Sequence, residues 1–114
     1  MTKKYDLEER TAVFAREVRG FVRQLPPSIS NTEDGKQLIR SSGSVGANYI
    51  EANESLGKKD FLMRIRICRK ESKESRLWLN LSESLPENYK EKEVLIKESI
   101  ELTKIFGSIL ENSK

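Results

Sequence analysis

The sequence predicts an all-α protein, an up-down-up-down four-helix bundle. Four segments repeat apolar or small residues at alternating three- and four-residue steps, the breaks between them are short and marked by Pro or Gly, and nothing alternates with period two. Four amphipathic helices joined by short connections bury all four seams most simply as such a bundle. At 114 residues, 36% apolar and 34% charged, the chain is one domain (1–114), and its regular apolar spacing argues against disorder.

The first helix is expected over 7–25. Leu7, Thr11, Phe14, Val18, Phe21 and Leu25 form its stripe, Asp6 with Glu9 three residues on can cap its start, and Pro26-Pro27 must end it. The second is expected over 31–56, opened by Ser30 and Glu33 as a capping box, with Leu38, Ser42, Val45, Tyr49, Ala52 and Leu56 as its stripe up to Gly57. Ser41, Ser42, Gly43, Ser44, Gly46 and Ala47 make that seam small, and two of them, the glycines, are poor helix formers, so a neighbouring helix must approach closely to compensate. The third is expected over 58–85, about 40 Å long at 1.5 Å per residue, and folds back on the second around Gly57. Its stripe is Phe61, Ile65, Cys68, Ser72, Ser75 and Leu79, and Pro86 closes it. The fourth, 89–112, carries Leu95, Ser99, Leu102, Phe106 and Ile109. Beside the third stripe runs a second strip, Trp78, Leu81 and Leu85. Either it widens the core of a small bundle or a second copy covers it.

Most enzyme chemistry lacks its residues here. Histidine, the commonest general base and metal ligand, is absent, which closes the Glu-x-x-His di-iron sites of four-helix bundles. Glu51 with Glu54, and Glu71 with Glu74, stand one helical turn apart and could hold a hard cation, but such pairs ordinarily face water or basic neighbours. Cys68 is the single cysteine and falls in an apolar seam, where it reads as an inert core residue. Gly43-x-x-Gly46 lacks both the Lys-Ser/Thr of a phosphate loop and a preceding strand. The formal glycosylation triplets at Asn53 and Asn80 fall inside expected helices. No catalytic residue, metal or cofactor is therefore expected. With no apolar run of about 18 residues and a charged start instead of a signal core, the expectation is a cytosolic protein away from membranes.

Charge placement is more informative than the net charge of +3. Between residues 58 and 76, Lys58, Lys59, Arg64, Arg66, Arg69, Lys70, Lys73 and Arg76 stand against Asp60, Glu71 and Glu74, a local balance of +5 that leaves −2 for the rest of the chain. Arg66, Arg69, Lys73 and Arg76 follow three-four-three spacing, one row along a helix with Lys59 on its extension. Arg16, Arg19 and Arg23 repeat the pattern in miniature on the first helix. Such rows suit a phosphate backbone, and symmetric copies would pool them. The competing reading is a solvated face neutralised by Glu71, Glu74 and carboxylates of adjacent helices.

Two segments carry a resemblance. Arg40-Ser41-Ser42-Gly43-Ser44-Val45-Gly46-Ala47-Asn48-Tyr49-Ile50-Glu51-Ala52 is one. Lys58-Lys59-Asp60-Phe61 leading to Ile67-Cys68-Arg69-Lys70-Glu71-Ser72-Lys73-Glu74-Ser75 and Trp78-Leu79 is the other. Together they resemble the four-helix-bundle proteins encoded by intervening sequences within bacterial large-subunit ribosomal RNA genes, which are themselves similar to the accessory variability determinant of diversity-generating retroelements. Ala52, Cys68 and Ser72 stand where many members have other small residues. The resemblance implies an up-down bundle that assembles as a ring-like homopentamer with a basic surface suited to nucleic acid. It also implies roles within the bundle or across the ring for Asn48 and Glu51, and it carries over no catalytic residue.

The expected function is a non-enzymatic oligomer binding RNA or DNA through phosphates, using Lys59, Arg66, Arg69, Lys73 and Arg76 with Arg16, Arg19 and Arg23. The alternative is a scaffold or accessory subunit for a protein partner, for example a reverse transcriptase.

Overall fold

The structure, a computed structural model, describes residues 6–114; residues 1–5, read above as part of a charged start, lie outside the described residues. Four helices follow in order: α1 Leu7–Arg23, α2 Ile29–Asn53, α3 Lys58–Leu81 and α4 Tyr89–Glu111. Each packs on the next in sequence, α1 also touches α4, and the Cα envelope measures 45 × 29 × 19 Å. Successive helices run antiparallel, as Gly46 beside Thr11, Ser41 beside Ser75 and Gly107 beside Arg69 show.

The four-three stripes form the core. Leu7, Thr11, Phe14, Val18 and Phe21 are buried on α1, Leu38, Ser42, Val45 and Ala52 on α2, Ile65, Cys68, Ser72, Ser75 and Leu79 on α3, and Leu95, Ser99, Leu102 and Phe106 on α4. Trp78 packs partly against this core, while Leu77 and Leu81 beside it stay about half exposed at 49% and 50%. The small residues of α2 serve two neighbours. Cβ atoms added at Gly35 and Gly46 would stand 3.1 Å from Val22 Cγ1 and 3.0 Å from Thr11 Oγ1, both on α1. On the side facing α3, Ser41 and Ser75 share a buried hydroxyl contact of 2.8 Å, and Cys68 Sγ donates to the Val45 carbonyl.

Several helix ends differ from the sequence expectation, each because a side chain competes for backbone groups. α2 opens two residues early. Ser28, not Ser30, accepts the Asn31 amide at 3.0 Å. α2 also closes early, at Asn53, where the amides of Glu54 and Ser55 turn back three residues and the Ser55 hydroxyl donates to the Glu51 carbonyl. Leu56, expected in the stripe, is therefore fully exposed, and Gly57 caps the start of α3 in extended backbone instead of closing α2. α3 stops at Leu81, four residues before its expected end. The Ser82 hydroxyl donates to the Leu79 carbonyl at 2.7 Å, and the Asn31 side chain holds the Glu83 backbone, donating to its carbonyl and accepting from its amide, both at 3.0 Å. A 3-10 turn, Pro86–Asn88, then leads into α4.

Candidate nucleic-acid interface

The basic row of α3 is offset by one residue from the buried stripe. Arg66 follows Ile65, Arg69 follows Cys68, Lys73 follows Ser72 and Arg76 follows Ser75, so a turn of about 100° brings each cation outward. All four are exposed. Arg66, Arg69 and Lys73, joined by Lys70, line a shallow groove of about 360 Å³ with Glu74 and Leu110 of α4. Arg69 lies across α4 where Gly107 has no side chain; a Cβ there would stand 3.6 Å from Nε. None of these cations forms an ion pair among the described residues.

The carboxylates expected to neutralise the row turn elsewhere. Arg40 of α2 reaches Glu74 Oε1 at 3.2 Å and Glu71 Oε1 at 3.6 Å. Glu71 is buried, and its Oε1 has no hydrogen-bond partner among the described residues. This pairing crosses from α2 to α3 and so has no signature in either helix alone. Sequence reasoning left Arg40 unassigned and left Lys70 outside the row.

Other expected residues lie apart. Arg76 stands outside the groove lining, near its end, and Lys59 is exposed in the first turn of α3, about 10 Å along the axis from Arg66. Arg16, Arg19 and Arg23 are exposed on α1, which packs on α2 and α4 across the bundle from α3. Arg19 leans toward α2, 3.7 Å from the position of a Gly43 Cβ, and donates to the Ala15 carbonyl. The two basic stretches thus occupy different faces.

Asn48, tied by the motif to the bundle or the ring, acts within the bundle. Its Oδ1 accepts from Arg64 of α3 at 2.9 Å, and its Nδ2 donates to the Ser44 carbonyl and hydroxyl oxygens. Glu51 is exposed and forms no ion pair among the described residues. Burial pushes the Cys68 thiol up to about 12, so it stays protonated at neutral pH. Among the described residues no three His, Cys, Asp or Glu side chains gather as a metal site, and no helix is long and apolar enough to cross a membrane.

Both motifs of the sequence meet along the α2–α3 seam, one supplying Arg40, Ser41 and Val45, the other Cys68, Glu71, Glu74 and Ser75. Residues 3–108 match the family described as 23S rRNA-intervening sequence protein. The chain belongs to that family. A solved structure is also similar: a protein of unknown function from the S23 ribosomal protein family of Bacteroides thetaiotaomicron, 26% identical, covering 90% of this chain and 96% of that one with a TM-score of 0.75. No curated protein matches the sequence. The family match takes in all of α1, α2 and α3 and most of α4.

Proposed function

We propose that this intervening-sequence family protein acts without catalysis, as a cytosolic, self-associating bundle that binds nucleic acid through its phosphates. The observation that supports it best is the α3 groove. Four cations, Arg66, Arg69, Lys70 and Lys73, share one exposed surface and form no ion pair among the described residues, while Glu71 and Glu74 are taken up by Arg40. A phosphate backbone supplies anions that these four cations can pair with, and contacts of this kind position a nucleic acid without reading its sequence. Membership of the 23S rRNA-intervening sequence protein family is consistent with the same class of ligand. Self-association, as the pentameric ring that the resemblance implies, would cover Leu77 and Leu81 and multiply the grooves.

Binding of a labelled RNA duplex across a salt series tests the reading. If about four phosphates are contacted per protomer, log affinity should fall against log salt with a slope of about −3 to −4 per protomer engaged, at ~0.7–0.9 per phosphate. Reversing Arg66, Arg69, Lys73 and Arg76 to Glu should abolish binding while the fold melts as before. Binding indifferent to salt, or surviving the reversal, overturns the proposal. Light scattering on a sizing column checks assembly, and a monomer at micromolar concentration removes the ring.

A further inference from the structure

We infer that Arg40 is a positioning residue for the basic groove: it draws the carboxylates of Glu71 and Glu74 toward α2 and so leaves the cations of α3 open to phosphate. The inference rests on the phosphate-binding reading and adds a residue on another helix to it. Glu74 lines the groove alongside Arg66, Arg69, Lys70 and Lys73. On its own helix it stands four residues after Lys70, a spacing at which lysine and glutamate side chains meet, and three after Glu71, a like charge on the same face. Helix geometry alone would therefore turn Glu74 toward Lys70. Instead Arg40 Nη2 lies 3.2 Å from Glu74 Oε1 and 3.6 Å from Glu71 Oε1, and Lys70 forms no ion pair among the described residues.

The backbone register holds this arrangement. Ser41, next to Arg40, and Ser75, next to Glu74, are fully buried and share the 2.8 Å hydroxyl contact, which fixes positions 40 and 74 opposite one another across the small-residue seam. Glu71 strengthens the demand for Arg40. Its carboxylate is buried, one oxygen lacks a hydrogen bond among the described residues, and a buried charge left unpaired is costly. Losing Arg40 would release Glu74 to Lys70, which neutralises one of the cations that phosphate must reach.

The test compares binding of a labelled RNA duplex at low salt to the unaltered chain, Arg40→Gln, Glu74→Gln, the two combined, and Arg40→Lys, with melting followed in each. Arg40→Gln should weaken binding about three- to tenfold, as expected for a coupled charge pair at a partly exposed site. Glu74→Gln should bind at least as well as the unaltered chain, the combined variant should recover to within about twofold of Glu74→Gln, and Arg40→Lys should keep most of the affinity. Recovery in the combined variant is what a purely structural role for Arg40 would not produce. Arg40→Gln binding like the unaltered chain, or a combined variant as weak as Arg40→Gln alone, overturns the inference. If reversal of Arg66 and Arg69 to Glu leaves binding intact, the phosphate-binding reading itself falls, a result distinguishable from failure at Arg40.

Discussion

Two glycines show how one residue type can matter oppositely at two positions. Gly20, inside α1, has open space where a Cβ would go, so it gives up helix propensity without easing any contact. Gly20→Ala should stabilise the protein by about 0.5–1 kcal/mol in denaturant melts. Gly46 faces Thr11, which is buried and donates its hydroxyl to the Leu7 carbonyl at 2.7 Å, so it has little room to move. Gly46→Val should cost about 2 kcal/mol or more, because overpacking adds to the poorer helix propensity of a branched residue. That the small run of α2 marks a close helix contact is readable from its composition. Which neighbour each residue faces is not, since Gly35 and Gly46 meet α1 while Ser41 meets α3.

At the level of helices, the interiors are legible in the sequence and the ends are not. The buried stripes of α1, α3 and α4 follow from local spacing, and so does the outward offset of Arg66, Arg69, Lys73 and Arg76. Ends depend on partners far along the chain. Asn31 and Glu83 are 52 positions apart, yet their backbone and side-chain bonds halt α3 at Leu81. Arg40 and Glu74, 34 positions apart, remain invisible until the α2–α3 register is known. The N-terminus of α2 shows the same limit, because Ser28 and Ser30 are both credible caps by type and only the position of the Asn31 amide selects between them. Ser28→Ala should lower stability by about 1 kcal/mol and Ser30→Ala by less than about 0.5 kcal/mol, measured in the same melts. Equal losses would mean that the cap is shared.

For the molecule as a whole, packing is uneven around the bundle. The α1–α4 seam is much less closely packed than α2–α3 or α3–α4, and a cavity of about 520 Å³ opens along it between Phe14 and Val94. Arg10 and Glu98 bridge it with a two-pronged ion pair, Nε at 2.7 Å and Nη2 at 2.9 Å, and the hydrogen bond to Glu98 holds the Arg10 guanidinium above its usual range. Both side chains are about a quarter to a third exposed, at 31% and 26%, so solvent screens part of the attraction. A double-mutant cycle on Arg10→Ala and Glu98→Ala should give a coupling of about 1 kcal/mol that shrinks as salt rises; no coupling at low salt would show that the seam closes without it.

The two ends of the bundle are also unlike. At one, Asn31 and the Asn88–Gln24 contact fasten the α1–α2 and α3–α4 connections to each other. At the other, Leu7, Tyr49 and Asn112 border one cavity, Asn53 donates to Glu8, and Leu56 projects freely from its turn. A circular permutant in which a short linker joins Asn112 to Leu7, with new ends opened at Leu56, would break no helix and leave the fastened connections untouched.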